Sequence, residues 1–307
     1  MSRRKGSPQI LKSHRPARTP VAARAHAIFL FAAGLVAIAF VGVFDARAAA
    51  RPSSRAQDSP TPLQREIEKQ KVRLSSADAE ERRDAVTRLG AMRRPEASRA
   101  AAAALGDAAA IVRASAARAT LSLGSGEAST LLVPLLRDRD EFVRREAAYA
   151  LGLTRNRFGV PQLIVALETD KQPSVRGAAA VALGQLGDAS AAPALAAALS
   201  RRLPAPGFFS RVTRRKVEED EFVRRAAAIS LGQLASREAV PVLVAALSNE
   251  RAPDDIRREA ARALGLIGDP AAIPALRSAL AARDPHLANI AFEALRKLDP
   301  ASATRPT

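Results

Sequence analysis

A chain of 307 residues that is 48% apolar, with no Trp, one Tyr and no Cys, carries a formal charge of +17. Its length allows one or two domains, and apolar content drawn mainly from Ala, Leu and Val favours a core of closely packed helices. The missing cysteine excludes disulfides, thiolate nucleophiles and thiolate-bound metals, and leaves the redox compartment open.

The charge is uneven. Residues 1–48 hold eight basic residues and one acid, +7 of the total, which leaves +10 on the remainder. Residues 1–26 form a basic leader with seven Lys or Arg and no acid. An uncharged apolar run, 27–44, follows it and leads into Ala46-Arg47-Ala48. A basic leader, an apolar run and an A-x-A site match a secretory signal peptide, and the run also reaches the minimum length of a membrane-spanning helix. Either reading exports the rest of the chain to the bacterial cell envelope. The chain is then released by cleavage near Ala48 or held by an anchor with its N-terminus in the cytoplasm. Residues 45–62, which end in AARPSSRAQDSPTP, have no apolar period and are expected to be a flexible linker.

From residue 63 the sequence repeats. The phrase EFVRR occurs at 141–145 and again at 221–225. Eight residues separate Val143 from Leu151, Val175 from Leu183 and Val223 from Leu231. The same step links Glu81 to Leu89, Val112 to Thr120, Ile256 to Leu264 and Leu287 to Leu295. The second members of these pairs are spaced by 31, 31, 32, 48, 33 and 31 residues. A period near thirty is the mark of a solenoid of supersecondary units.

A second element lies in each period. Leu105, Leu136, Leu167, Leu199, Leu247 and Leu280 each follow an anchor by sixteen residues. Pro161, Pro193, Pro241 and Pro274 stand six residues before four of them, a place that suits the first turn of a helix. Gly187-Asp188 and Gly268-Asp269 read as a helix stop followed by a helix start, and Asp140, Asp220 and Asp284 read as N-caps. Each unit is therefore expected to be two helices, with Val175, Ala179 and Leu183 on the buried stripe of the second one. Residues 63–299 make about seven such pairs, and 300–307 are expected to be a disordered tail.

A Pro-started helix, a short turn with Asp, and then VRxxAAxALGxLGD resemble HEAT repeats. The compact form with a period of thirty-one resembles the phycobilisome-lyase HEAT-like subfamily. The resemblance covers residues 63–298 and implies an all-α fold, a right-handed alpha-alpha superhelix of the HEAT-like, armadillo-type class. It also implies that the second helix of each pair lines the concave face. Members of the family include scaffolds, bilin lyases, DNA glycosylases and hydroxylases with His-Glu iron ligands, and no His-Glu pair occurs in this chain.

Two sets of arginines stand out. Arg82, Arg113, Arg144, Arg176, Arg224 and Arg257 directly follow the first anchor in six repeats and predict a ladder. The resemblance gives this arginine a structural role, bonded to Asp or to carbonyls of neighbouring turns. One position further stand Arg83, Arg145, Arg225 and Arg258, and at the offset four beyond, across the repeats, come Thr87, Arg118, Tyr149, Val181, Ile229 and Arg262. An apolar centre of Tyr149, Val181 and Ile229 with an arginine rim has the composition of an interaction surface.

The spacing of 48 marks an insertion, about residues 200–220, expected to form a loop at one edge of the stack. It carries Phe208, Phe209, Arg211, Arg214 and Arg215, and an acidic run closes it. The insertion and the second-helix face are expected to grip a protein or peptide partner, with an anionic membrane surface as a further partner class. His286, the only histidine in the repeats, is expected to start a helix. No catalytic residue, cofactor or metal ligand is assigned. The expected function is a non-catalytic scaffold. Nucleic-acid binding and a lyase- or hydroxylase-like activity are the disfavoured alternatives.

Overall fold

The structure is a computed structural model that describes residues 59–301, apart from 206, 208–212 and 215. The basic leader, the apolar run 27–44 and the cleavage site lie outside the described residues. Among the described residues no helix is long and apolar enough to cross a membrane.

Fourteen α-helices occur among the described residues, and they fall into the seven expected pairs. The first pair is α1 (Pro62–Arg73) and α2 (Ala79–Ala91), and the second is α3 (Pro95–Ala102) and α4 (Ala110–Ala119). The third is α5 (Ser125–Leu132) and α6 (Glu141–Thr154), and the fourth is α7 (Val160–Thr169) and α8 (Pro173–Leu186). Then come α9 (Ala192–Ser200) with α10 (Glu221–Gln233), α11 (Val240–Ser248) with α12 (Asp254–Ile267), and α13 (Ile273–Ala279) with α14 (Pro285–Leu298). The expected linker runs one residue too far, because Pro62 already starts α1 and Thr61 closes a capping box with Gln64.

The punctuation works as the sequence implies. Pro161, Pro193, Pro241 and Pro274 occupy first turns of α7, α9, α11 and α13. Asp140, Asp220 and Asp284 accept backbone N–H groups at the starts of α6, α10 and α14. Gly187 ends α8 at φ 66°, in the left-handed region that costs glycine nothing, and Asp188 caps the turn that follows.

Val112, Val143, Val175, Val223, Ile256 and Leu287 are fully buried, and so are their partners eight residues on. Glu81 is the exception among the anchors. It stands in the terminal repeat, where it accepts hydrogen bonds from Arg73 and Ser76, a polar end to the stack. The even-numbered helices pack in succession from α2 to α14, and more extensively than the odd-numbered ones do. The small residues make this possible. A Cβ added to Gly152 would lie 2.8 Å from the Cα of Ala182, and one added to Gly232 would lie 2.9 Å from the Cα of Ala263.

The insertion is not a plain loop at its base. Residues Arg202–Pro204 (β1) and Lys216–Glu218 (β2) pair as an antiparallel ribbon, with Arg202 opposite Glu218 and Leu203 opposite Val217. Opposite charges and apolar side chains facing each other across the pair hold this register. Phe208, Phe209, Arg211 and Arg215 lie outside the described residues, while Arg214 is exposed in a turn at φ 51°.

Candidate interaction surface

Three arginines of the expected ladder, Arg82, Arg113 and Arg144, share one geometry through the first half of the stack. Arg113 places Nε and Nη2 on both carboxylate oxygens of Asp138, at 2.8 and 2.7 Å. Its Nη1 donates to the carbonyls of Asp107 and Ala108 in its own turn, at 2.8 and 3.0 Å. Arg82 binds Asp107 in the same way, and Arg144 binds Asp170. Each bridge therefore joins one repeat to the next with a bidentate, charge-assisted pair, the strong form of this contact. Arg82 holds the Asp107 carboxyl below its ordinary range, helped by the Ala109 N–H and opposed by burial. Burial pushes Asp138 up, but Arg113 and the Asp140 N–H outweigh it and the carboxyl titrates low.

The second half departs from this rule. Arg201 stands where an acid would receive Arg176, two residues after Leu199 as Asp138 is two after Leu136. Glu219 replaces that acid from the far end of the insertion. It is 3% exposed and accepts from Arg176 Nε at 3.1 Å, from Arg176 Nη2, and from Arg201 Nη1 at 3.4 Å. Arg224 finds no acid in the next repeat. It donates to the Leu199 carbonyl at 3.1 Å and pairs with Glu218 of its own insertion. Arg257 donates to the Leu247 carbonyl and lies 3.8 Å from Asp254. The acidic run that closes the insertion thus has internal work. Glu218 and Glu219 hold arginines, and Asp220 caps α10.

The face expected to bind a partner is the solvent side of the even-numbered helices. On α6, Arg145 and Tyr149 are half-buried and Leu153 is 58% exposed, four residues apart in turn. Val181 of α8 is half-buried, and Ile229 of α10 is 38% exposed. On α12, Arg262 is exposed and Leu266 is 54% exposed. A cleft of ≈ 320 Å³ opens between α12 and α14, lined by Arg262, Leu266, Ile290 and Lys297 among others. Burial pushes the Tyr149 phenol up, and Arg145 partly offsets this.

The rim arginines are not bare. Arg118 and Arg145 both approach Glu146, at 3.5 and 3.4 Å, and Arg145 lies 4.9 Å over the Phe142 ring. Arg225 meets Asp255 at 3.5 Å, and Arg262 meets Glu259 at 2.6 Å. Arg258 is tied most tightly. It binds both oxygens of Asp284, at 2.7 and 3.0 Å, and reaches Asp255 at 2.9 Å. It thereby supplies the bridge between the sixth and seventh repeats, one position later than the ladder rule, because Ala282 stands where Arg257 would need an acid. The Arg258 guanidinium holds Asp284 down to about 2. Exposed apolar side chains also occur away from this face, at Val72, Phe158 and Val165. His286 sits in the first turn of α14 over the Asp284 cap, as expected. Among the described residues no group of three or more His, Asp or Glu converges as a metal site would.

Glu219 and Glu218 were not legible as site residues from the sequence. The one signal was Arg201 in a register position that holds an acid in two earlier repeats, as Asp107 and Asp138, with Asp170 one residue beyond it in a third.

Comparison with known proteins follows the fold. A family model described as HEAT repeats matches residues 70–152, 129–204 and 212–303. The complex of CpcE and CpcF of phycocyanin lyase from Nostoc sp. PCC7120 is 26% identical at a TM-score of 0.46, covering 80% of this chain and 91% of that one. Human deoxyhypusine hydroxylase is 23% identical at a TM-score of 0.37, covering 76% of this chain and 84% of that one. YibA of Escherichia coli is 22% identical at a TM-score of 0.54, covering 80% of this chain and 91% of that one, and shares the fold. No protein with a curated description matches the sequence significantly.

Proposed function

The chain belongs to the HEAT-repeat family, and on that premise we propose that it is a non-catalytic scaffold that binds a protein or peptide partner through its even-helix face. One observation carries this reading. Tyr149, Val181 and Ile229 hold the same offset on three successive even-numbered helices and stay partly exposed, with Arg145, Arg225 and Arg262 beside them. Apolar anchors within a polar rim are what a protein interface uses. The row is held by backbone packing on both sides, so a partner meets a preformed surface and little ordering cost arises on binding.

The experiment is capture of partners from an envelope fraction with purified wild type, Tyr149→Ala and Ile229→Arg. Both variants are expected to lose capture while keeping the wild-type circular-dichroism spectrum and a cooperative unfolding transition. Undiminished capture by both variants would sink the reading. Placement outside the cytoplasm is part of the proposal and is supported by the basic leader, the apolar run 27–44 and the A-x-A site. A reporter enzyme active only after export, fused behind residue 62, is expected to be active. An inactive fusion at normal expression overturns that placement.

A further inference from the structure

The repeats differ in how they are joined, and the odd joint lies between the fifth and sixth. Asn249 occupies the turn position that Asp107, Asp138 and Asp170 fill earlier. It keeps one half of their job. Its Oδ1 accepts the Arg251 N–H at 3.1 Å, as the Oδ1 atoms of those three aspartates accept a backbone N–H two residues on. It cannot do the other half, since the remaining terminal group of its side chain is an amide donor that cannot receive a guanidinium.

Arg224 is the arginine left over. Its side chain is 7% exposed and Glu218 engages its Nη1, while its Nη2 donates no hydrogen bond to any described residue. A cleft of ≈ 170 Å³ lies at this spot, lined by Arg201, Arg202, Glu218, Arg224 and Asn249 with apolar walls from Leu199, Val242 and Ala246. Three cations and an amide face one lining carboxylate there. A buried guanidinium with donor capacity to spare, in a pocket with cationic walls, selects an acceptor with two oxygens.

We propose that this cleft receives a carboxylate from an acidic segment of a protein partner, which takes the place that Asp107, Asp138 and Asp170 hold at the earlier joints. The source of the carboxylate rests on the protein-binding reading above; the cleft's preference for a carboxylate does not. Binding there would add to the exposed Arg225–Asp255 pair that spans these two repeats, and would stiffen the stack at that joint.

The test is calorimetric titration of the full chain with a blocked peptide of alternating Glu and Ala, alongside its Gln counterpart, acetate and inorganic phosphate. The Glu peptide is expected to bind at least about tenfold tighter than the Gln peptide, and acetate to compete better than phosphate. Asn249→Asp supplies the missing acid from within and is expected to weaken the Glu peptide by about tenfold or more while raising the unfolding midpoint. Arg202→Glu, at an exposed wall of the cleft, is expected to weaken it similarly. Equal binding of the two peptides, no binding of either, phosphate competing as well as acetate, or unchanged affinity in both variants would overturn the proposal. Tyr149→Ala is expected to leave the titration unchanged. Loss of partner capture at Tyr149 and loss of peptide binding at Asn249 are therefore separate results.

Discussion

Arg113 and Arg224 hold the same offset in the second and fifth repeats, are almost equally buried, and live in different electrostatic worlds. Arg113 is met by a carboxylate of the following repeat, so its charge is neutralised across a joint. Arg224 is met by a carboxylate of its own repeat, so its charge is neutralised within one. Burial of the ion costs about the same in both places. Only the first arrangement turns that cost into a link between neighbours. A repeat protein gains cooperativity from its interfaces, and the stack is therefore bound more firmly through its first four repeats than across the joint after the fifth.

The largest effect is expected at Asp138. Asp138→Ala leaves Arg113 buried without its anion and should cost about 3–5 kcal/mol, read from urea unfolding followed by circular dichroism. Asn249→Ala removes no ion pair and should cost under about 1 kcal/mol. Comparable losses in the two variants would erase the contrast. Next comes Glu219→Gln, which keeps the shape but withdraws the charge from Arg176 and Arg201, at a cost of about 2–3 kcal/mol. Hydrogen exchange should rise in residues 202–204 and 216–218, whose pairing hangs on that carboxylate. Exchange unchanged there would show that the ribbon stands by itself.

A smaller loss is expected from Gly232→Ala. The joint after the fifth repeat has a long, exposed ion pair, Arg225 to Asp255 at 3.5 Å, so helix contact carries most of it, and the added Cβ would fall 2.9 Å from Ala263 Cα. About 1–3 kcal/mol is expected, set against the better helix propensity of Ala. The smallest effect per group is in acid. Asp284 titrates at about 2 in the fold, below its ordinary range near 3.8, so its bridge to Arg258 contributes fully above that range. The contribution is lost as the pH falls from about 4 towards 2. Asp107 and Asp138 shift in the same direction. Asp284→Asn should flatten this part of the stability profile, and a profile no flatter than wild type would mean the carboxylate is not coupled to folding.

Most of the architecture was readable because each repeat carries its own signals within about thirty residues. Val175 and Leu183 mark one face, Pro193 marks a helix start, and Gly187-Asp188 marks the stop between them. None of these needs knowledge of distant chain. The partners of the rim arginines were not readable. Arg258 and Asp284 lie 26 residues apart, and whether that arginine faces water or a carboxylate depends on how two repeats are rotated against each other. The same holds for Glu219 and Arg176, 43 residues apart across an insertion whose base had first to fold back as a ribbon. The shared offset of Tyr149, Val181 and Ile229 was readable, because position around a helix follows from its period alone, while the degree to which each is covered by the next repeat was not.

Glu219 gives the insertion a role in the core that its surface position hides. Shortening residues 202–218 to the length of the other turns would pull this acid away and strand two arginines with nothing to answer them. A trimmed chain is therefore viable only if an acid is written in at position 201 in the same step. Through one carboxylate the ribbon is tied to the middle of the stack.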